Sequence, residues 1–394
     1  MFNKKKKILM VHNYYQLSGG EDTVVSNEKK MLEDNGHEVV LYTRHNAEIK
    51  SMKLFKKVML PFMSIFNLKT YLDIKRIIVN EKIDIVHIHN TLHLISPAVY
   101  YAAVKCGVPV VQTVHNFRFL CPGAMLYRDG HICEDCISKG LVCALKNKCY
   151  RNSAIQTFIC TFNMWLHRQL GILGKIYFIC LTEFNRTKLL QLNQIRENRV
   201  FVKPNYVDGT DNIIIGSQRK NQFIFAGRLD KLKGIDLLCH AWKEMGYKAP
   251  KLIVCGTGPM EEWCREYVKD NNLNIELKGF LSNQEVKKII ANSKALILPT
   301  RLYEGFPMTI VEAYSVGTPV ICSDLGNCRC IVEEGVTGWK INNSTDLVEK
   351  IEQYSDLVMS TYKHYKEQYN MMKNYEILRD IYHNICDISN NKYI

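Results

Sequence analysis

The sequence predicts an α/β protein made of two doubly wound parallel-sheet domains. Three observations carry this reading. The chain has 394 residues, more than one ordinary domain holds. Short, branched apolar runs alternate with helical sequence along its length, the pattern of a parallel sheet covered on both faces. The alternation breaks once, at the polar, Gly-containing stretch 209–222 (GTDNIIIGSQRKNQ), and then restarts. The expected domains are therefore 1–204 and 205–394, with the final helix free to pack back on the first.

Each element follows in order. Ile8–Val11 is a first buried strand, led in by the solvated basic run Lys4–Lys7. That run is not expected to act as a signal peptide, because the apolar stretch after it is too short. A loop with Ser18, Gly19 and Gly20 opens a helix over about Thr23 to Asn35, which Gly36 ends. Further strands are expected at Val39–Tyr42, Ile83–His89, Val108–His115, Tyr177–Thr182 and Val200–Val202. Beyond the linker they fall at Phe223–Ala226, Lys251–Cys255, Ile275–Lys278, Ala295–Pro299 and Pro319–Cys322, and a polar helical tail begins at Thr345.

Composition narrows the function. Apolar residues make up 47% and charged residues 23%, as in ordinary globular proteins. No apolar run reaches the ~20 residues that cross a bilayer, so a cytoplasmic location is expected. The net charge of +13 favours anionic partners. No helix-turn-helix pattern, RNP motif or Arg-rich arm is found, so nucleic acid is not an expected partner. Three of the 15 cysteines stand singly on apolar strands (Cys180, Cys255, Cys322) and read as small core residues.

The informative motifs all fall at the carboxyl ends of expected strands, where open parallel sheets bind ligands. AGRLDKLKG, Ala226 to Gly234, supplies Gly227 for a turn, Arg228 as a forked donor and Lys233 as a point cation, a set suited to a diphosphate. CGTGP, Cys255 to Pro259, has Gly256 and Gly258, which let backbone approach a ligand. TRLYEGFPMTIVEAYSVGTPV, Thr300 to Val320, is the most specific. In it Pro307 fits the first turn of a helix, Glu304 stands at that helix's mouth and Glu312 lies further along. Free N–H groups there suit an anion, and the carboxylates suit sugar hydroxyls.

With these three in register, the second half resembles the donor-binding domain of family 4 glycosyltransferases, which share the GT-B fold. The family's G-R-x-x-x-x-K-G, G-x-G-P and E-G-F-x-x-x-x-x-E signatures stand in order, and the likeness runs on through Gly317 to Trp339. Pro204 to Asp208 (PNYVD) is similar to the family's P-N-G-V-D, with Tyr206 in place of Gly. The first half resembles the family through Gly19, Gly20 and Thr113-Val114-His115.

The resemblance implies two Rossmann-like domains flanking a cleft, and a retaining enzyme that moves a hexose or N-acetylhexosamine. The donor would be a nucleotide sugar, with UDP expected. The acceptor would be a glycan, or a polyprenyl-diphosphate-linked one, in capsule, O-antigen or exopolysaccharide synthesis. Arg228 and Lys233 would bind the diphosphate, Glu312 the ribose and Glu304 the transferred sugar. Gly305, Phe306, Pro307, Met308 and Thr309 would help place that sugar, and Gly227, Gly256, Gly258, Phe280 and Leu281 would complete the donor site. Gly20 would let the first loop reach the distal phosphate, and His115 would lie beside the sugar. His87, His89 and His93 have weaker claims. The rival readings are a sugar-nucleotide epimerase and a non-catalytic sugar-nucleotide-binding subunit. No Asp-x-Asp triplet occurs, so cations and a helix N-terminus are expected to stabilise the leaving group with no catalytic cofactor.

Two more expectations stand apart from the resemblance. Residues 50–60 (KSMKLFKKVML) place Lys50, Lys53, Lys56 and Lys57 on one helical face and Met52, Leu54, Phe55, Val58 and Met59 on the other. This reads either as a segment on an anionic membrane surface or as an ordinary packed helix. In the Cys-rich insertion 119–151, Cys133 and Cys136 form a C-x2-C flanked by Cys121 and Cys149, a set that suits a structural zinc, with Cys143 the spare or the alternative ligand; a Cys133/Cys136 redox pair or five unrelated thiols are the other readings.

Overall fold

The computed structural model describes residues 5–16 and 19–390. Lys4 and Ser18 lie outside the described residues. The chain divides into two compact units. One comprises the chain to Arg128, Cys133–Pro204 and the chain from Asn374; the other comprises Asn205–Lys373 with Asp129–Ile132.

The first unit is built on six parallel strands. They are β1 (Lys7–Tyr14), β2 (Glu38–His45), β3 (Ile85–Asn90) and β4 (Val110–Val114), then, after a short ribbon of β5 (Tyr127–Arg128) and β6 (His131–Ile132), β7 (Tyr177–Cys180) and β8 (Val200–Val202). Their spatial order is β2-β1-β3-β4-β7-β8, so the winding reverses between β1 and β3. Helix α1 (Gly20–Asp34) joins β1 to β2. Helices α2 (Glu48–Ser51), α3 (Leu54–Ile65) and α4 (Leu68–Glu81) lead to β3, and α5 (Ala98–Lys105) leads to β4. The insertion holds α6 (Asp135–Ser138) and α7 (Val142–Lys146); α8 (Ala154–Gln169) precedes β7 and α9 (Glu183–Leu189) precedes β8.

The second unit repeats the plan with β9 (Gln222–Ala226), β10 (Lys251–Cys255), β11 (Ile275–Gly279), β12 (Ala295–Leu298), β13 (Val320–Ser323) and β14 (Gly338–Ile341). Its order, β11-β10-β9-β12-β13-β14, reverses between β9 and β12. Both units are Rossmann-like, and in such sheets ligands bind beyond the strand ends at the reversal. The helices are α10 (Ile235–Met245), α11 (Glu261–Asp270), α12 (Asn283–Ala291), α13 (Met308–Tyr314), α14 (Gly326–Ile331), α15 (Ser344–Glu352) and α16 (Val358–Gln368). A last helix, α17 (Met371–Asn390), returns to the first unit and buries Tyr375, Leu378, Ile381, Tyr382 and Ile385.

Several elements depart from the sequence expectation for identifiable reasons. β1 runs three residues past Val11 because the polar residues that ended the apolar run are buried and bonded. His12 Nε2 meets Asp22 at 2.8 Å, and Asn13 Oδ1 accepts the Leu94 N–H at 3.0 Å. α1 starts at Gly20, before the Thr23 expected, since Asp22 caps it by accepting from the Gly19 N–H. β14 was not anticipated, because it is four residues long and opens on Gly338, which reads as a turn. Gly is required there: an added Cβ would stand 1.8 Å from the Val320 carbonyl. Nor is the linker wholly solvated. Arg219 is buried and donates to the carbonyls of Ile214, Ser293 and Val316 and to the Thr318 hydroxyl.

Candidate functional site

In the second unit the loops after β9 and β12 flank the sheet's reversal and are tied together. Gly234 has φ +77, and an added Cβ would lie 2.0 Å from the Pro299 carbonyl, so the AGRLDKLKG loop folds directly onto the end of β12. This closeness brings Lys233 Nζ to the two Glu304 oxygens at 2.7 and 2.8 Å. The expected cation and the expected sugar-binding carboxylate therefore pair with each other. Arg228 is different: its side chain is 66% exposed, with Asp230 3.6 Å from its Nε.

The Glu304–Gly305 backbone is held from below by a residue the motif reading missed. Asn327, fully buried at the start of α14, donates from Nδ2 to both carbonyls. Its signal was the D-L-G-N turn after β13, whose Gly326 has φ +51 and whose added Cβ would strike the Tyr303 ring at 2.6 Å.

The remaining expected donor residues gather around α13 with two adjustments. Pro307 is the residue before the helix, with ψ 93, and not part of its first turn. Leu281, Phe306 and Met308 pack against the core and Thr309 is half-buried, whereas Phe280 is 81% exposed. Burial raises the Glu312 carboxyl above its usual range, and Lys287 opposes that rise.

Gly256 and Gly258 are held close to the neighbouring loop by their own packing. An added Cβ on Gly256, which has φ +131, would meet the Gly227 carbonyl at 1.9 Å, and one on Gly258 would meet the Leu229 carbonyl at 2.3 Å. Hydrogen bonds from Gly227 N to Cys255 O and from Leu229 N to Thr257 O, both 3.0 Å, lock the two loops face to face. The pair thus sets the position of Arg228. We expect Gly256→Ala and Gly258→Ala each to destabilise the protein by about 1–3 kcal/mol or more, the usual scale of backbone strain. A thermal midpoint equal to the parent's in both variants would overturn this packing role.

In the first unit, the strand ends at the reversal carry a buried histidine array. His115 Nε2 lies 3.0 Å from His89 Nδ1, and His89 Nε2 lies 3.4 Å from Glu28 Oε1. His87 Nδ1 is 3.1 Å from the same oxygen and 2.7 Å from the Tyr382 hydroxyl, while Lys203 Nζ holds Glu28 Oε2 at 2.9 Å. Burial alone would raise the Glu28 carboxyl, but Lys203, His87 and His89 together keep it well below the usual range. Burial pushes His87 down to about 3 and His12 down to about 4. Glu28, His87 and His89 form the one group of three ligand atoms within 4.8 Å of one another among the described residues. A cation there would face the Lys203 ammonium, so the arrangement suits an ion-paired network and not a metal. Gly19 and Gly20 stand at the start of α1, and nothing lies within 4 Å of where a Gly19 Cβ would be.

His89, His115, Arg118 and Tyr150 line a pocket of about 530 Å³ that lies entirely within this unit. Its walls include one face each of α3 and α8. The stretch 50–60 expected as one amphipathic helix is broken: Lys50 belongs to α2, and Lys53 caps α3 in extended conformation (ψ 150). The lysines therefore do not share a continuous face. Leu54, Phe55, Val58 and Phe62 of α3 are nevertheless exposed, as are Ile155, Phe158 and Trp165 of α8. Among the described residues, no helix is long and apolar enough to cross a membrane.

Cys121, Cys133, Cys136, Cys143 and Cys149 gather in the insertion. Burial and then the surrounding thiols push Cys136 up to about 12. Their sulphurs do not form a group of three within 4.8 Å.

Comparison with known proteins agrees with this geometry. Residues 18–210 match the family model Glycosyltransferase Family 4, and residues 212–376 match Glycosyl transferases group 1. An uncharacterised glycosyltransferase of Methanocaldococcus jannaschii is 27% identical over 88% of this chain and 87% of its own. An uncharacterised protein of the Klebsiella pneumoniae cps region is 22% identical over 84% of this chain and 86% of its own. Among solved structures, an Anabaena protein in complex with UDP and glucose superposes with TM-score 0.62 at 14% identity, covering 95% of this chain and 98% of that one. The two sheets, the loops at their reversals and both family matches lead to one statement: the chain belongs to family 4 of the glycosyltransferases and has the GT-B type of fold.

Proposed function

We propose that this glycosyltransferase moves a hexose or N-acetylhexosamine from UDP, with retention at the anomeric carbon, to a lipid-linked glycan of a capsule, O-antigen or exopolysaccharide. The observation that carries the reading is the pairing of Lys233 with Glu304 beside the exposed Arg228 at the reversal of the second sheet. A diphosphate there receives a forked donor from Arg228 and shares Lys233 with Glu304, so negative charge developing on the leaving group meets fixed cations. Glu304, fixed by Lys233 and by Asn327 under its carbonyl, can accept a sugar hydroxyl; Glu312, deeper on α13, can accept from the ribose. His115 faces the pocket of the first unit, on the acceptor side. The Anabaena protein's complex with UDP and glucose supports UDP, and the cps-region relative supports a surface polysaccharide. Hydrolysis of a panel of sugar nucleotides without acceptor tests the donor, with UDP sugars expected to turn over fastest. The anomeric configuration of the product, read by NMR, tests retention; inversion would reject it.

The exposed apolar faces of α3 and α8, with Lys50, Lys53, Lys56 and Lys57 alongside α3, support a place on an anionic membrane surface. Flotation with anionic vesicles is expected to fall at least several-fold when Leu54, Phe55, Val58 and Phe62 become Ser. Undiminished flotation would reject the membrane contact.

The cysteine insertion is proposed to hold a structural zinc through Cys121, Cys133, Cys136 and Cys149. Its strands of two residues and helices of four and five offer little core of their own, and a metal contributes most in such a segment. Elemental analysis is expected to find one zinc per chain, lost in Cys133→Ser. Zinc-free parent protein rejects the site.

A further inference from the structure

The pocket of the first unit has a charge pattern that the donor chemistry does not use. Lys57, Arg118, Arg151 and Arg168 are among its lining residues, and no Asp or Glu is. Arg118 and Arg151 lie over the same ring, Tyr150, at 5.8 and 5.4 Å from its centre. Among the described residues neither has a carboxylate within 4 Å, and the buried Nη1 of Arg118 has no hydrogen-bond partner. Arg168 spends one nitrogen on the Phe119 carbonyl at 2.6 Å and leaves its buried Nε unpartnered. Glu21, an acid that feels Arg118, is pushed up to about 8 by burial, so it is largely protonated at neutral pH and does not neutralise the guanidinium. His93, beside Tyr150, is pushed down to about 4 by burial and by both arginines, so it adds no charge.

The Arg118 guanidinium, with its buried Nη1 unpartnered, and the exposed Arg151 guanidinium lie over one aromatic ring and together match the oxygens of a phosphate. Leaving buried donors unmade is costly, and an anion that fills them recovers that cost. Apolar side chains also line the pocket. Leu60 and Pro61 of α3 and Ile159 and Met164 of α8 line it, while the outer faces of the same two helices expose Phe55, Phe62, Phe158 and Trp165. A ligand seated here meets cations, Arg118 and Arg151 among them, and apolar side chains of α3 and α8, whose outer faces are apolar as well.

We propose that this pocket binds the acceptor as an anionic amphiphile. A phosphate or diphosphate is held by Arg118 and Arg151, and an apolar chain leaves between α3 and α8. The inference rests on reading the first unit as the acceptor-binding domain, and it adds the recognition chemistry and the residues that perform it.

The test is binding of farnesyl diphosphate to the full chain by calorimetry in saturating UDP, with farnesol and inorganic pyrophosphate as controls. The parent is expected to bind farnesyl diphosphate at least tenfold more tightly than either control. Arg118→Gln and Arg151→Gln are each expected to weaken it tenfold or more, with the thermal midpoint unchanged. Equal affinity for farnesol and farnesyl diphosphate overturns the proposal, as does undiminished binding in both variants. If phosphatidylglycerol vesicles displace the probe and both variants lose vesicle flotation in parallel, the anion recognised is a bulk lipid headgroup, and the acceptor assignment is overturned. Donor hydrolysis by the parent is measured separately; its absence rejects the transferase reading of the second unit and leaves the pocket result standing.

Discussion

Lys233→Ala and Arg228→Ala are expected to lower sugar transfer at saturating donor by roughly a hundredfold to a thousandfold each, the usual loss when one preorganised donor to a developing anion is removed. Their side effects should differ. Arg228 is largely exposed with one distant acidic neighbour, so its loss should leave the melting temperature unchanged. Lys233 is partly buried against Glu304, whose side chain is 12% exposed, so its removal strands a carboxylate and should also lower stability modestly. Glu304→Gln separates the two roles. It keeps the shape of the loop and frees Lys233 for the diphosphate, so donor affinity should survive while turnover falls. Near-parental turnover in either cation variant would remove the diphosphate assignment.

The second large effect concerns stability. Lys203 and Glu28 are each 1% exposed, and they pair at 2.9 Å beneath the histidine array. Breaking such a pair leaves one uncompensated buried charge, so Lys203→Met or Glu28→Gln should cost about 3–5 kcal/mol. The double variant should recover part of that loss, because both desolvation costs disappear together.

The same network predicts sensitivity to acid. His12 and His87 titrate lower in the folded protein, at about 4 and about 3, than their unfolded value near 6.5. The unfolded chain therefore binds more protons below that pH, and stability falls as the pH drops. Each histidine contributes a slope of about 1.4 kcal/mol per pH unit until its folded value is reached. Glu28, held below its usual range, adds stability above about pH 4.3 that is lost only at still lower pH, so its sign agrees. Amide exchange of β1, β3 and β4, measured between pH 7 and 5 and corrected for intrinsic rates, should show protection falling across that window. Protection independent of pH would sink the network as a source of stability.

The fold was legible because its signal is local. Strands such as Lys251–Cys255, buried after its first residue, and Val200–Val202, buried at Val200, rest on short apolar runs, and their limits in the structure are those of the sequence pattern. The three motifs expected to bind the donor stand out because they follow such strands directly. What escaped was everything set by pairing at long range. His12 and Asn13 look like the end of a strand until Asp22 and Leu94 are seen to satisfy them. Lys203 is an ordinary lysine before a proline until Glu28, 175 positions earlier, is brought to it. Arg118 lies 33 positions before Arg151 and meets the ring of Tyr150, the neighbour of Arg151, only in space. The break at Met52–Lys53 was missed for another reason: helical spacing of charges is blind to a backbone that turns extended between two short helices.

The return of α17 to the first unit has a consequence for synthesis. All eight of the first strands leave the ribosome before α17 is made, and during that interval the first unit lacks the Tyr382 hydroxyl beside His87 and the Asn374 amide oxygen that accepts from Lys203. The second unit contains its whole sheet by Ile341 and needs nothing from α17 to close it. Domains that fold during translation usually do so from the amino end. In this chain the order is reversed: the unit that starts first is finished last, and a stop codon after Lys373 would spare the second unit while leaving the first with a buried lysine and histidine uncovered.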